Sequence, residues 1–362
     1  MSTTTTIRKA LIAAYATSQS DVSKISVVSA PLPPPSKKQI QVRVLYAGFS
    51  GADVNMSLGR YPFQRHAPLT PGYCMVGVVV HNPSSSSRFK PGDFVTAITT
   101  YDAQAELINV SENLLVAVPS ELCTSDIPLQ QVAALSLDWT TAQGMVSSGA
   151  ANVKPGQRVF IHGLSGSVGQ ALLALCRLAG ATEIYGTASP RNHPTLIDEQ
   201  HVTGAFDYAA KDWIAAMQNL GGVDAVFDPL GFESWDESYS ILAPKGILAG
   251  YGGNQATLSG DAAGSAKSPW PHIAKLVARG LLPDMMCGKR TSFFYVKPGT
   301  KGCEADLVAV MELLKEKKIE VRIKGVWDLT TEGLREAHSS WGKMKGMGAL
   351  LIRVAGGGGG DV

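Results

Sequence analysis

Glycines at positions 163, 166 and 169 stand between the apolar run Val159-Phe160-Ile161 and a leucine-rich stretch that ends at Gly180. A strand, a glycine-rich turn and a helix in that order let backbone N–H groups approach a pyrophosphate, with the positive end of the helix turned toward it. Ser165, Ser167 and Val168 lie between the three glycines and would offer their amides to the same anion. Where a dinucleotide-binding chain needs a residue to read the adenosine ribose, this one has neither Asp nor Glu. It runs Ala188-Ser189-Pro190-Arg191. A carboxylate would accept a bond from a free ribose 2′-hydroxyl, whereas a serine beside an arginine suits a 2′-phosphate, so the expected cofactor is NADPH rather than NADH. The other reading of Arg191 is a solvated loop charge.

The elements that must hold this turn are legible around it. Val159 to Ile161 suits a parallel strand buried on both faces, and Leu172, Leu173, Leu175, Cys176 and Leu178 supply a helical apolar stripe. From about Ser136 onward, strands are expected at Arg158–His162, Glu183–Thr187, Ala205–Tyr208, Val223–Asp228 and Ile247–Tyr251, with helices such as Trp213–Leu220 between them. That alternation predicts an α/β fold with a doubly wound parallel sheet. Pro190 and Pro194 bracket Arg191, so the segment up to Gly204 should be irregular.

Upstream the character differs. Ile40–Tyr46 alternates apolar and polar residues, Val76–Val80 reads as a buried strand, and Pro91-Gly92-Asp93 introduces another at Phe94–Ile98. This part is expected to be all-β or barrel-like. Downstream, Asn254–Ser268 is rich in Gly, Ala and Ser and reads as a mobile loop. Ser292–Val296 reads as a strand, Glu304–Lys317 as a helix with Leu307, Val310, Met311 and Leu314 on its apolar face, and Leu350–Val354 as a last strand. The Gly356–Gly360 run reads as a flexible tail.

With 362 residues, the chain is long enough for two domains. Its charge is nearly balanced, 32 Lys plus Arg against 30 Asp plus Glu, with no basic run interleaved with aromatics, which argues against nucleic acid as a partner. No stretch approaches the length of a membrane span, and Met1–Thr6 lacks an apolar signal core, so a cytoplasmic protein is the expectation. Its five cysteines are scattered without a Cys-x-x-Cys pair, which argues against a disulfide framework and a zinc ribbon. His162, just before the turn, reads as a strand-end residue rather than a catalyst.

The order of motifs resembles the medium-chain dehydrogenase/reductase superfamily over nearly the whole chain. The matching segments are Gly48-Phe-Ser-Gly-Ala-Asp53, Gly59-Arg-Tyr61, Pro71-Gly72-Tyr73-Cys74-Met-Val-Gly77, Pro91-Gly92-Asp93, Thr140-Thr141-Ala142, the glycine turn and Asp224-Ala-Val-Phe-Asp228. The resemblance implies a GroES-like β-barrel domain of residues 1–135 and 292–362, interrupted by a Rossmann domain of residues 136–291. Zinc members of the superfamily carry Cys where this chain has Ser50, and Gly-His-Glu where it has Gly72-Tyr73-Cys74. A lone thiolate cannot assemble a site that needs three or four ligands, so no metal is expected. The nearer likeness is to the zinc-free quinone oxidoreductase and enoyl reductase group.

That likeness implies roles for named residues. Tyr61 occupies the position of the favoured proton donor, with packing against the pocket wall as its other reading. Ser50 is placed to donate a hydrogen bond to a substrate oxygen, or equally to stabilise its turn. Asp53 behind it reads as a structural carboxylate. Thr141 falls beside the nicotinamide, Tyr208 near the adenosine phosphate, and Gly252 at the strand end where backbone lines the nicotinamide. Without a Lewis acid, hydride addition to a conjugated C=C bond is easier to support than carbonyl reduction, because the enolate needs only hydrogen bonds and a proton. The expected activity is therefore NADPH-dependent reduction of an enone, quinone or polyketide-like enoyl substrate. A non-reductive isomerase or cyclase, or an accessory protein of a larger synthase, is the alternative. Dimers are usual in the resembled family, so a homodimer is the matching expectation.

Overall fold

The computed structural model describes residues 4–61, 63–231, 233–258, 270–282 and 287–354. The chain begins with strands β1 (Thr5–Ile12) and β2 (Ile25–Leu32), paired antiparallel. Then come β3 (Gln39–Phe49), a short helix α1 (Gly51–Ser57), β4 (Cys74–His81), β5 (Phe94–Ile98), β6 (Leu107–Ser111) and β7 (Leu115–Ala117). β4 is buried nearly end to end, as its unbroken apolar run requires. The expected β-rich first part is present, and it holds one feature the sequence pattern did not show: α1.

Helix α2 (Asp126–Gly144) leads into the second part. There β8 (Arg158–Ile161), α3 (Ser167–Leu178), β9 (Glu183–Ala188), β10 (Gly204–Asp207), α4 (Asp212–Asn219), β11 (Val223–Asp228), α5 (Glu233–Ser240) and β12 (Leu242–Gly250) follow. Next are α6 (Gln255–Leu258), α7 (Trp270–Leu281) and β13 (Arg290–Phe293). Among the described residues this sheet has six strands in the order β10-β9-β8-β11-β12-β13, every pairing parallel. The order reverses between β8 and β11. In such a sheet ligands lie beyond the carboxyl ends of the strands at that reversal.

The stretch after β9 is irregular as expected: a 3₁₀ turn over Pro190–Asn192 and a π-helical turn over Thr195–Glu199. Leu172, Leu173, Leu175 and Cys176 pack into the core, but Leu178, placed on the same stripe from sequence, is 52% exposed. It is the last residue of α3, where the helix runs out past the sheet. The strand expected from Ser292 is β13, which runs beside β12 through Phe293. Most of the loop expected at Asn254–Ser268 lies outside the described residues.

Helix α8 (Lys301–Lys315) starts at Thr300, whose hydroxyl accepts from the Cys303 N–H at 3.4 Å, and it buries Leu307, Val310, Met311 and Leu314 as its pattern requires. The chain then returns through β14 (Ile323–Asp328), α9 (Thr331–Ser340) and β15 (Ala349–Arg353) to the first part. β15 pairs antiparallel with Tyr46–Phe49 of β3, while Gln39–Arg43 of the same strand pairs with β6. Among the described residues this second sheet thus has seven strands in the order β14-β15-β3-β4-β5-β7, with β6 also on β3.

Candidate active site

The glycine turn sits at the sheet reversal. Gly163 adopts a positive φ of 73°, its N–H donates to Thr187 Oγ1 at 3.2 Å, and Gly166 N–H donates back to the Gly163 carbonyl at 2.9 Å. A Cβ at Gly169 would lie 2.1 Å from the Gly163 carbonyl oxygen, so the absence of a side chain is what lets α3 close down on the turn. No side chain caps α3, and Ser165 to Val168 remain partly exposed beside the crevice. Free amides, a positive helix end and open space above Gly163 fit the pyrophosphate of a nicotinamide dinucleotide. His162 stays out of this chemistry: it is buried against Phe160 and Trp213, its ring nitrogens meet Ser238 Oγ at 3.0 Å and Thr187 Oγ1 at 3.3 Å, and burial pushes its pKa down.

Several of the sequence-derived positions share one rim. Asp207 pairs with Ala188, so Tyr208 and Ser189 leave neighbouring strand ends side by side, and Tyr208 is 61% exposed there. Gly252 leaves β12 on the same rim, and a Cβ on it would come within 2.5 Å of the Pro229 carbonyl oxygen. Arg191 is exposed, but its Nη2 donates to the carbonyl of Met344 at 2.8 Å and more weakly to that of Lys343 at 3.4 Å. Beside it stands Lys324, which the sequence pattern did not single out. Burial and the neighbouring Arg191 charge hold its ammonium below the usual lysine range. The C-terminal segment also touches the turn itself, Gly348 N–H donating to the Ser165 carbonyl at 3.1 Å.

The barrel supplies the other wall. Ser50 caps α1: its Oγ accepts from Ala52 N–H at 3.1 Å, and Asp53 Oδ2 accepts from Ser50 N–H at 2.9 Å, closing a capping box. Asp53 is fully buried and also takes Gly72 N–H at 2.9 Å and Gln104 Nε2 at 3.2 Å through Oδ1, while burial pushes its pKa up to about 7. Its geometry is that of a carboxylate fastening the 50s helix to the 70s loop. Replacing Ser50 by Ala removes the cap acceptor, and the expected result is a loss of about 1 kcal/mol of stability in urea unfolding.

Ser50 lines a shallow recess with Gly48, Tyr73, Cys74, Leu137 and Asp138. Asp138, missed from sequence because a lone Asp in an apolar helix carries no spacing signal, is partly buried near Ser167, and burial pushes its carboxyl up to about 6. It joins the recess to the start of α3. Thr141, one turn further along α2, spends its hydroxyl on the Leu137 carbonyl at 2.7 Å. Tyr61 stands next to Tyr73, their hydroxyls 3.0 Å apart with Tyr61 donating. Burial raises both phenols above the ordinary tyrosine value. Tyr73 therefore connects Tyr61 to the recess.

A zinc site does not fit these residues. No three of His, Cys, Asp and Glu gather as a ligand set among the described residues, and the Cys74 thiol, buried 3.6 Å from the Ala133 carbonyl, is pushed up by burial.

Comparison with known proteins matches two family profiles to the chain: the alcohol dehydrogenase GroES-like domain over residues 36–120 and the zinc-binding dehydrogenase family over residues 167–271. The synaptic vesicle membrane protein VAT-1 of Tetronarce californica is 30% identical over 307 residues, covering 83% of this chain and 77% of its own length. Among the described residues, no helix is long and apolar enough to cross a membrane. The apo JamJ enoyl reductase superposes with a TM-score of 0.78 at 20% identity, covering 97% of this chain and 100% of that one. The quinone oxidoreductase of Escherichia coli, solved in complex with NADPH, superposes with a TM-score of 0.76 at 17% identity over 96% and 99% of the two chains.

Proposed function

We propose that this chain, which belongs to the medium-chain dehydrogenase/reductase superfamily, is a zinc-free reductase that uses NADPH to saturate the activated C=C bond of an enone, a quinone or a polyketide-like enoyl group. One observation carries the reading: the fold holds both an uncapped helix start over a glycine turn at the sheet reversal and a recess lined by Ser50 and Tyr73, whose hydroxyl accepts from Tyr61. Folds shared with an enoyl reductase and with an NADPH-binding quinone oxidoreductase support it.

When bound, the dinucleotide supplies a hydride to the β carbon of the substrate. The chain's own residues do the rest. The amides of Ser165, Ser167 and Val168 hold the pyrophosphate, and Ser189 with Arg191 takes the 2′-phosphate, Arg191 exchanging neutral carbonyl acceptors for a charged one. Thr141 and Gly252 flank the nicotinamide. Ser50 keeps its hydroxyl hydrogen for the substrate oxygen while its Oγ accepts from Ala52. Tyr61 holds the proton that goes to the α carbon. A raised phenol pKa suits a group that must arrive protonated and give its proton only to a carbanion-like centre.

The test is NADPH oxidation against a panel of enones and quinones, with metal analysis of the purified protein. Turnover of substrate without NADPH consumption would replace the reading with a non-reductive one. Arg191→Ala should weaken NADPH binding roughly tenfold and leave NADH binding unchanged, measured by fluorescence titration. Equal losses for both cofactors would remove Arg191 from the phosphate site.

A further inference from the structure

Between α9 and β15 the chain runs Gly342-Lys343-Met344-Lys345-Gly346-Met347-Gly348. Gly342 and Gly346, at φ 79° and 88°, let it turn at both ends of its exposed part. The segment spans the carboxyl ends of β8 and β9, because it is fastened to Ser165 just beyond the one and to Arg191 just beyond the other. At the first fastening Gly348 N–H donates to the Ser165 carbonyl at 3.1 Å, and Met347 Sδ accepts from Gln170 Nε2 at 3.8 Å. At the second, Arg191 Nη2 donates to the carbonyls of Met344 at 2.8 Å and Lys343 at 3.4 Å.

The two fastenings are unlike. Gly348 and Gln170 are buried, whereas Arg191, Lys343 and Lys345 are exposed. Among the described residues, every hydrogen bond that joins residues 343–346 to the dinucleotide-binding half comes from Arg191. The bonds Lys343 makes otherwise go back to α9, its N–H to the Ser340 carbonyl at 2.9 Å and its Nζ to that of Ser339 at 3.0 Å. This latch therefore sets one charged donor against two neutral acceptors within reach of water. A phosphate bonds a guanidinium about twice as strongly as a neutral carbonyl does, and carbonyls released in an exposed stretch are taken up by water at little cost.

We propose that residues 343–348 are a strap over the dinucleotide crevice, which Arg191 latches in the cofactor-free protein and lets go when a 2′-phosphate takes its guanidinium. This rests on the NADPH reading above and goes beyond it. NADPH frees the strap at its Arg191 end, while NADH, with nothing to draw Arg191 away, leaves it latched; the two cofactors leave the rim of the crevice in different states. The buried fastening at Ser165 and Gln170 holds in both. By reciprocity, the latch weakens the grip of Arg191 on the phosphate by the same factor as the phosphate loosens the latch.

The test is limited trypsin digestion of the full chain, with the cuts after Lys343 and Lys345 followed by mass spectrometry. It is run in buffer alone, with adenosine 5′-monophosphate and with adenosine 2′,5′-bisphosphate, two probes that differ only in the 2′-phosphate. Calorimetric titration of the same samples records whether each probe binds. Cleavage at such sites follows the population of locally opened chain. The bisphosphate should speed both cuts roughly tenfold and the monophosphate should not. Cuts elsewhere should become no faster, since a ligand of the native state opposes global opening. Arg191→Ala, a change at the surface, should be cut at the fast rate without any ligand and respond to neither probe. Bisphosphate that binds without speeding the cuts, monophosphate that speeds them equally, or an Arg191→Ala protein cut as slowly as the parent overturns the strap and leaves the NADPH reading standing. A parent that binds neither the bisphosphate nor NADPH overturns both.

Discussion

Gly169→Ala should destabilise the protein by about 1–3 kcal/mol and abolish the rise in melting temperature caused by NADPH. The new methyl would sit 2.1 Å from the Gly163 carbonyl oxygen and 3.0 Å from Leu164 Cα. Both are backbone atoms, so no side chain can swing aside to make room. Either α3 lifts off β8 or the turn opens, and each movement carries the helix amides away from where a phosphate must lie. Gly92→Ala is the control. Gly92 also has a positive φ, 96°, but nothing lies within 4 Å of its Cβ position and it is remote from the crevice. It should cost about 1 kcal/mol for the left-handed backbone alone and keep the full NADPH shift. Melting curves of both variants with and without NADPH decide the matter. A Gly169→Ala protein that melts like the parent and still responds to NADPH would show that the turn does not depend on this close approach.

The second large effect is on the pH dependence of stability and centres on Asp53. Its folded pKa, pushed up to about 7 by burial, lies above the unfolded value of about 3.9. Between those values the folded state binds the extra proton, so the stability this group contributes is complete below about pH 4 and is lost as pH rises through about 7, at up to about 1.4 kcal/mol per pH unit. Asp138, pushed up to about 6, acts with the same sign. His338 opposes them: burial holds it at about 3, so the unfolded chain binds more protons and stability rises with pH up to about 6.5. The raw profile therefore mixes signs, and subtraction of an Asp53→Asn profile isolates Asp53. The variant should be weaker throughout by about 1–3 kcal/mol, because its amide must turn a donor toward the N–H of Ser50 or Gly72. Beyond that offset, the parent's advantage should shrink steadily from pH 4 to pH 7 in urea unfolding. Parallel curves would mean that the three donors keep Asp53 ionised in the fold and outweigh its burial.

What the sequence disclosed follows the range of each signal. The strands of the six-stranded sheet and the apolar face of α8 come from local patterns, and their expected positions match to within a few residues. Helix α2 did not show itself in full, because it buries the consecutive run Val132, Ala133, Ala134, Leu135 and Ser136, which covers every face, and a helix packed all round loses the amphipathic period. α1 hid for another reason: its signals are the Ser50 cap and the Asp53 carboxyl, both of which also read as chemistry. The missed residues around the site share a cause. Tyr73, Asp138 and Lys324 become neighbours of the site only through packing between segments far apart in sequence, and no spacing along the chain announces that. Arg191 was legible as a cation shortly after β9, whereas its hold on the Met344 carbonyl was not.

The pairing of β15 with β3 bears on how the molecule is made. Tyr46–Phe49 pairs with β4 on one side but finds its partner on the other only when Leu350–Arg353 has been synthesised, roughly 300 residues later. Until then that half of the strand is an unpaired edge on a growing chain, the kind of surface that invites pairing with a neighbour. The parallel sheet, whose strands all lie in one continuous stretch, has no such wait. On the ribosome the dinucleotide-binding half should therefore reach protease resistance first, and a chain stopped before Ala349 should aggregate through its amino-terminal third even with the glycine turn already folded.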